Sequence, residues 1–528
     1  MDSPGTRACP VGTGSCLPSW FPRAGLAAVL VVFLGLTLPR TAPEMLGTDP
    51  YGYAQMTRSI VSQGWFSPYL YDPLLERLAR SPEDYRRLEG FLVPDTFYRS
   101  AGPGNRLVCK YPAGFAWMLY PFAALGGMEA LPWALPCYSL LLLVVVYRVL
   151  RRRFSGEVGF LGAAFVAFSP YTLNYTTHLF AEQALSLVFW LALACLWLRT
   201  PSPGMALLAG MLGGFLPFLK FSAFILWLPL GVAAWGSLAR ERRGILAAFL
   251  LGMVLGFAPL GYYLLVTYGT LFTSTYTSVH PGAWALPHLR TNAWPYVKHF
   301  LLLTGKKGFP VHLLILAGLA RMFRYRAQEA AWLCGTVALV FLFFASSSVE
   351  ASAAPGVFYY DPRYLLPLLP LLGCLFAVGA EALLACLSPR IRPAAGILGL
   401  AWLCFLAAPM RWPEPHEVPG HRLAAALRDL PGAPPPVLLS TSSRAHGVRL
   451  YLGRACYRLD SGPAEDWLPA LGRLREWGHV GYAVLGETDG EYRRLLEAKF
   501  TLVRWGSYDE GKTVPRPVGI FRLEDVGN

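Results

Sequence analysis

The amino-acid sequence predicts a polytopic α-helical membrane protein with about eleven transmembrane helices and a small α/β domain at its C-terminus. Hydrophobic residues make up 54% of the 528 residues and charged residues only 15%. The mean hydropathy of +0.40 is too high for a soluble chain of this length. Long apolar runs separated by arginine clusters continue to about residue 409, and only the tail beyond them mixes short apolar runs with polar segments.

The net charge of +14 does not indicate a nucleic-acid partner. The arginines punctuate apolar runs, which is the pattern that membrane topology produces. The ten cysteines include no C-x-x-C pair, so neither a disulfide framework nor a zinc site is expected.

The first apolar run, around residues 24–38, has the length of either a signal peptide or a first span. Arg23 precedes it, as in a signal peptide. However, more than twenty residues lie before the run and no A-x-A cleavage pattern follows it. We therefore expect an uncleaved first span.

Further spans follow from the requirement for about 20 mostly apolar residues. The stretch at 113–125 is shorter and rich in aromatic residues, so we interpret it as an interfacial or re-entrant helix. The predicted spans lie near 20–39, 130–150, 158–176, 179–198, 204–219, 221–239, 245–266, 308–323, 329–347, 364–386 and 393–409.

Arginine clusters fix the predicted orientation. In the eleven-span arrangement these clusters fall on alternate connections and so share one face, which the positive-inside rule makes cytoplasmic. The clusters are Arg151 to Arg153, Arg199, Arg240 to Arg243, Arg321 to Arg326, and Arg390 with Arg392. The N-terminus is then cytoplasmic and the C-terminus is outside.

Three predicted domains follow: a cytoplasmic segment at 1–19, a transmembrane domain at 20–409 with a first outer loop at 40–129, and an outer α/β domain at 410–528. In the tail, the runs "PVLLS", "YAVLG" and "VGIFRLE" read as strands. Residues 465–477 and 490–500 read as amphipathic helices.

Ionisable residues concentrate at the predicted outer ends of the spans. His178, Glu182 and Lys220 all lie there, as do His312, Asp361 and Arg363. The span centres carry almost no charge, whereas an ion-coupled transporter would hold such groups near the bilayer midplane. The pattern favours a function that is carried out at the outer face of the membrane that the chain spans.

The segment "GTDPYGYAQMTRSIVSQG" in the first outer loop reads as a short helix with Asp49 as N-cap, Pro50 at its first position and Gly64 near its end. Capping is the simpler interpretation of Asp49. It is compatible with catalysis, because a carboxylate that accepts backbone N–H bonds stays ionised and can accept a hydrogen bond from a sugar hydroxyl.

Three other motifs have alternative interpretations. Lys110 of "CKYPAGFAWMLYP" suits either a lipid headgroup or a substrate phosphate. His178 and Glu182, four residues apart, are expected on one helical face, where they could simply pair. Arg363 of "YYDPRYLLPLLPLL" could pair with Asp361 or bind a lipid-linked phosphate.

Together these motifs resemble the GT-C class of integral-membrane glycosyltransferases, among them the bacterial relatives of protein O-mannosyltransferases and lipid A aminoarabinose transferases. The resemblance rests on the order of four segments over about residues 20–409. In chain order they are the Asp49 motif, "KYPAGFAWMLYP", "AEQALSLVFWLALACLWLR" and "DPRYLLPLLPLL".

The resemblance implies that Asp49 and Glu182 are catalytic carboxylates and that Lys110 contacts the donor phosphate. Two departures from the family pattern, Pro50 after Asp49 and Ala113 after Pro112, affect the expected donor-side geometry. The family also uses a divalent cation in its oligosaccharyltransferase branch, but no ligand set stands out and we predict no metal site. The expected substrate-binding residues are Tyr53, Lys110, His178, Lys306, Lys307, Tyr360, Asp361 and Arg363.

The expected function is therefore inverting transfer of a sugar from a polyprenyl-phosphate donor to a glycan, lipid or protein hydroxyl at the outer side of a bacterial inner membrane. Two alternatives remain open. One is a transporter or flippase for a lipid or sugar, and the other is a noncatalytic protein built on the same scaffold.

Overall fold

A computed structural model provides the fold. For Asp49 and Arg363 it describes the backbone alone. The described residues are 20–41, 48–65, 69–70, 77–78, 97–99, 107–197, 202–238, 243–271, 286–301, 309–346, 362–388, 390–407, 427, 430, 437–440, 456–459, 464–486, 489–509 and 517–525.

Helices dominate these residues. The α-helices are α1 (Phe21–Thr37), α2 (Thr48–Gln63), α3 (Gly114–Gly126), α4 (Ala134–Arg153), α5 (Gly156–Ala167), α6 (Pro170–Thr176), α7 (Ala181–Trp197), α8 (Pro203–Leu219), α9 (Trp227–Leu238), α10 (Arg243–Tyr268), α11 (Leu286–Leu301), α12 (Phe309–Tyr325), α13 (Ala327–Ala345), α14 (Leu369–Cys386), α15 (Arg392–Ala407), α16 (Ala464–Glu476) and α17 (Gly490–Glu497). Short 3-10 helices cover Leu38–Arg40, Met128–Trp133, Phe221–Leu226 and Pro362–Leu368.

The strands are short until the end of the chain. They are β1 (Tyr69–Leu70), β2 (Phe97–Arg99), β3 (Leu107–Cys109), β4 (Val437–Ser440), β5 (Cys456–Arg458), β6 (Gly481–Gly486), β7 (Phe500–Asp509) and β8 (Pro517–Asp525).

The chain divides into two compact units. The helical unit consists of Met1–Thr41, Trp133–Leu264 and Phe272–Arg411. The mixed unit consists of Ala42–Pro132, Leu265–Leu271 and Trp412–Asn528. This division groups the first loop with the tail, whereas the sequence-based domains assign the loop to the transmembrane part. Those domain limits stay a prediction.

Four helical stretches of the described residues are long and apolar enough to cross a membrane. They are Met128–Arg153, Gly244–Tyr268, Ala327–Ala345 and Tyr364–Cys386. The pair α6 and α7 passes the same test together but is bent by 114°. Six further apolar helices are shorter, so the count of eleven spans stays a prediction although the predicted apolar runs are helical.

The span predicted at 158–176 is interrupted. Helix α5 ends at Ala167 and α6 begins at Pro170. Ser169 between them has an extended backbone, with φ −61° and ψ 129°. A proline disfavours helical geometry in the residue before it, so Pro170 explains the break.

Close helix contacts in the helical unit depend on small residues and on one buried polar cluster. Side chains at Gly210 or Gly214 of α8 would collide with the backbone of α10, and side chains at Gly252 or Gly256 of α10 with that of α8.

The polar cluster joins α5, α12 and α14. Ser155 donates to Glu381 Oε1 over 2.7 Å and accepts from Val158 N, which caps α5. Arg321 Nη1 lies 3.5 Å from Glu381 Oε2. The carboxylate of Glu381 therefore links the ends of three helices.

The mixed unit contains two sheets. Strands β1, β3 and β2 form an antiparallel sheet in that order. The second sheet has the order β5-β4-β6-β8-β7, with β4 parallel to β5 and β6, and β8 antiparallel to β6 and β7.

In the second sheet, β4, β6 and β8 lie in the runs predicted as strands, whereas β5 and β7 were not predicted. Its core includes Leu438, Tyr482 and Ile520 from three strands. Helices predicted at 465–477 and 490–500 are found as α16 and α17. The location of this sheet outside the cytoplasm stays a prediction.

Candidate functional site

A buried ion pair lies at the start of α7 in the helical unit. Glu182 is in the first helical turn and is 1% exposed, and Lys220 is 7% exposed. The ammonium group of Lys220 donates to Glu182 Oε1. Lys220 Nζ also lies 4.2 Å from the centre of the Tyr364 ring. The two buried charges balance each other, which burial of ionised side chains requires.

The local sequence explains why Lys220 can reach α7. Lys220 follows the last residue of α8 and precedes the 3-10 helix at Phe221–Leu226, with an extended backbone between them. Its N–H donates to Leu216 O, and its carbonyl accepts from Ala223 N. Because the backbone is satisfied in the junction, its side chain can serve a partner on another helix.

A narrow cavity adjoins this pair. Tyr364 stacks on Phe344, with ring centres 4.8 Å apart and planes 12° apart. The hydroxyl of Ser222 is buried without a hydrogen-bond partner among the described residues. The lining includes Glu182, Lys220, Ser222, Phe344 and Tyr364. The cavity has a volume of about 10 Å³, room for about one water molecule, so the pair is enclosed by packed side chains.

His178 and Glu182 do not share a helical face, so that prediction is wrong. His178 lies in the turn between α6 and α7. Its Nδ1 is 2.8 Å from Asn174 O, and the Thr177 hydroxyl donates to the same carbonyl over 2.8 Å. These side chains compete for the acceptor that a continuing helix would use, which ends α6.

Asp49 lies in the first turn of α2, in the mixed unit. The helix begins at Thr48, so Asp49 is inside it rather than the preceding N-cap residue. The predicted end is confirmed, because Gly64 follows the helix with φ +98° and donates its N–H to Ile60 O. The catalytic role of Asp49 stays a prediction.

Helix α2 packs against the segment that carries Lys110. A Cβ atom on Gly52 would lie 3.0 Å from Cys109 Sγ and 3.2 Å from Tyr111 Cδ2, so glycine permits this approach. The Thr57 hydroxyl reaches Ala116 O of α3 at 3.5 Å. The structure therefore brings together the helix of Asp49 and the β3–α3 connection, which the sequence separates by about fifty residues.

The predicted ligand residues of this region differ in exposure. Tyr53 is buried, with its ring 5.1 Å from Tyr111 and 4.9 Å from Phe115. Lys110 is partly buried and its Nζ lies 5.0 Å from the Tyr111 ring centre. Tyr53 thus contributes packing to the wall, while Lys110 carries the positive charge.

The remaining predicted residues are not assembled by the described part of the chain. Lys306, Lys307, Tyr360 and Asp361 lie outside it. The backbone of Arg363 belongs to the 3-10 helix at Pro362–Leu368, next to Tyr364. No group of three or more His, Cys, Asp and Glu residues among the described ones is arranged to hold a metal ion.

Sequence analysis does not predict that Lys220 pairs with Glu182. It also does not predict that Ser222 and Tyr364 line the cavity beside this pair. The two charged residues are 38 positions apart. The only signal is an isolated lysine between two apolar runs in "FLPFLKFSAFIL".

Solved structures resemble the whole of this architecture. ArnT from Cupriavidus metallidurans bound to undecaprenyl phosphate superposes with a TM-score of 0.60 at 14% identity, covering 95% of this chain and 98% of that one. The chain has the GT-C fold. The GT-C fold predicted from the four motifs is thus confirmed.

Other GT-C structures are similar at lower scores. The Archaeoglobus fulgidus oligosaccharyltransferase AglB, in complex with an inhibitory peptide and a dolichol-phosphate, has a TM-score of 0.53 at 12% identity and covers 90% of this chain and 71% of its own. The mycobacterial arabinofuranosyltransferase AftD has 0.50 at 14% identity, covering 97% and 42%. No protein-family model and no curated protein matches the sequence.

Proposed function

We propose that this GT-C protein is an inverting glycosyltransferase. It would move a sugar from a polyprenyl phosphate to an acceptor hydroxyl at the outer face of the membrane that it spans. The observation that carries the proposal is the full-length likeness to ArnT, which was solved with undecaprenyl phosphate. AglB, solved with dolichol-phosphate, extends the same carrier chemistry to a second similar fold.

The proposed reaction assigns proton removal to Asp49. Its carboxylate takes the proton from the acceptor hydroxyl as that oxygen attacks the anomeric carbon. The bond from this carbon to the phosphate oxygen breaks on the opposite face, so the configuration inverts. The polyprenyl phosphate leaves with the bonding electron pair and gains negative charge.

Cationic side chains stabilise that leaving phosphate. Lys110, on the connection packed against α2, is the first candidate. Arg363, Lys306 and Lys307 are additional predicted contacts. In a poorly hydrated site each such donor is worth more than in water, because less solvent screens its charge.

The proposed role of Glu182 depends on its pairing with Lys220, which fixes the position of the carboxylate. With Lys220 held against it, the carboxylate has a fixed place at the positive end of α7. We assign Glu182 to orienting a sugar hydroxyl and Lys220 to positioning Glu182. Predicted contacts from His178 and Tyr360 complete the sugar site, and a divalent cation is not required by this scheme.

The test compares Asp49→Asn with wild type in transfer from a polyprenyl-phosphate sugar by purified protein. General-base assistance contributes about 10² to 10⁴ in rate, so a loss of at least about 100-fold is expected. Glu129→Gln removes an exposed carboxylate of the same unit and should keep the wild-type rate. Wild-type transfer by correctly folded Asp49→Asn would refute the assignment.

The donor class has an independent test. Lipid extracted from the purified protein should include a polyprenyl phosphate, identified by its mass. Efficient use of a nucleotide sugar would contradict the proposed donor. The transporter alternative predicts vesicle uptake that survives Asp49→Asn, and uptake without transfer would favour it.

The proposed orientation is testable in intact cells. The N-terminus would be cytoplasmic, and the sheet of β4 to β8 would be periplasmic or extracellular, in a bacterial inner membrane. Protease added to spheroplasts should remove a C-terminal epitope and spare an N-terminal one. The reverse pattern would place Asp49 on the wrong side for this chemistry.

A further inference from the structure

A second polar cavity lies in the helical unit, away from the Glu182 pair. Its volume is about 410 Å³, within the range of roughly 300–1,000 Å³ typical of ligand pockets. We call it the inner cavity, because Arg153 and the end of α12, both on the predicted cytoplasmic side, border it. Its lining includes Arg153, Trp190, Trp197, Gln328, Glu329 and Trp332.

The charges at the inner cavity do not cancel. Arg326 Nη1 donates to Glu329 Oε2 over 3.0 Å, whereas Arg153 Nη2 stays 3.8 Å from Glu329 Oε1. Two guanidinium groups thus share one carboxylate, which leaves one positive charge in excess. Arg153 also lies over the Trp197 ring, 5.2 Å from its centre. The arrangement holds Arg153 in place while leaving capacity for an anion.

A buried aromatic side chain forms part of the wall of the inner cavity. Trp190 lines the inner cavity and is 1% exposed. Its indole N–H has no hydrogen-bond partner among the described residues. The nitrogen is itself covered by protein atoms, so Trp190 offers an occupant apolar ring surface rather than a hydrogen bond. Trp190 and Trp197 are seven residues apart on α7, or about 10 Å.

An apolar cavity adjoins the polar one. Its volume is about 550 Å³, and Val232, Gln328 and Trp332 line both cavities. Pro229 and Leu339 are among its other walls. Trp332 is fixed between the two, since its indole donates to Pro229 O over 3.0 Å and its ring lies 4.9 Å from that of Trp197. A basic cavity therefore lies directly beside an apolar one.

We propose that the two cavities bind one anionic phospholipid, with the phosphate beside Arg153 and an acyl chain along α9 and α13. The excess positive charge selects an anionic head, and the apolar walls select a chain. Both properties in adjoining cavities indicate an amphiphile rather than a free phosphate or a polar peptide. The cytoplasmic leaflet supplies such lipids, whereas the sugar donor of the proposed reaction belongs to the outer one.

The experiment titrates purified protein in detergent with phosphatidylglycerol and counts bound lipid by native mass spectrometry. Arg153→Gln should weaken binding about tenfold, because it removes a charge-assisted contact. Arg152→Gln removes the same charge from the next, exposed residue and should leave binding unchanged.

Two further measurements isolate the headgroup and the chain. Wild type should bind zwitterionic phosphatidylethanolamine more weakly than phosphatidylglycerol. Arg153→Gln should bind the two lipids equally. Val232→Trp should obstruct the junction and lower binding without lowering the thermal midpoint.

Three outcomes would overturn the proposal. Equal losses in Arg152→Gln and Arg153→Gln would reduce the effect to surface charge. Unchanged binding in Val232→Trp would show that the lipid does not occupy these cavities. Displacement of phosphatidylglycerol by equimolar undecaprenyl phosphate would assign the space to the carrier lipid instead.

Discussion

The helical unit and the mixed unit hold their candidate polar residues in different ways. In the helical unit, Glu182 and Lys220 are buried together and neutralise each other. In the mixed unit, Lys110 is partly buried beside the Tyr111 ring, and Asp49 lies in the first turn of α2, which packs on the same segment. A buried, paired carboxylate is suited to fixing geometry. A charge at a packed but accessible edge is suited to meeting a substrate.

Separating the buried pair should have the largest effect. Lys220→Met leaves the Glu182 carboxylate buried without its cation, which costs about 3–5 kcal/mol of unfolding free energy. The thermal midpoint of the detergent-solubilised protein measures this loss. The double variant Glu182→Gln/Lys220→Met removes both charges and should recover much of it. Equal destabilisation of the single and double variants would show that the charge pairing is not what matters.

Removing the charge of Lys110 should affect activity rather than stability. Lys110→Gln removes the charge-assisted contact that we propose Lys110 makes with the donor phosphate, which would contribute about 1.5–3 kcal/mol to donor use. Steady-state kinetics with a polyprenyl-phosphate sugar would show a loss of at least about tenfold in kcat/KM, with the thermal midpoint retained. Arg494→Gln, an exposed charge in α17, is the matched control. Full activity of Lys110→Gln would remove Lys110 from the donor site.

The contact between α2 and the β3–α3 connection is open to a steric test. Gly52→Val forces a branched side chain against Cys109 and Tyr111 and should cost about 1–3 kcal/mol of stability. Gly231→Val adds the same atoms in α9, where nothing lies within 4 Å, and should change stability by under about 0.5 kcal/mol. Thermal midpoints of the two variants measure the difference. If they shift equally, the close approach at Gly52 is not a constraint.

The smallest predicted effect concerns a link within the mixed unit. The Arg77 guanidinium lies 4.1 Å from the centre of the Trp477 ring, joining the first loop to the tail. An exposed cation–π contact contributes about 0.5–1 kcal/mol. A double-mutant cycle of Arg77→Ala and Trp477→Ala should return a coupling energy of that size from thermal midpoints. A coupling of zero would mean that the contact does not stabilise the unit.

The apolar helices could be predicted from sequence because hydropathy depends on local composition. The helices found at 203–219 and 327–345 lie within a residue or two of the predicted spans. Breaks were harder to predict. Pro170 is a local sequence signal for the end of α5. The turn at His178 depends instead on side chains that compete for one carbonyl.

The candidate residues could be predicted only in part, because in each unit they are brought together by tertiary packing. Asp49 and Lys110 are marked by residue type and by the order of motifs, and Gly52 explains how their segments approach. The pairing of Glu182 with Lys220 depends on how α7 and the α8 junction pack. No local pattern in the sequence encodes that distance.

The 114° bend between α6 and α7 places Glu182 in the first turn of a new helix. In an uninterrupted helix, the amide hydrogens near Glu182 would be consumed by carbonyls one turn upstream. A fresh helix start instead leaves its leading amides without intrahelical acceptors. The bend is stabilised by a hydrogen bond in which the side-chain amide of Gln183 donates to the hydroxyl of Thr176 over 3.3 Å. The bend therefore adds main-chain electropositivity that no side-chain substitution can remove.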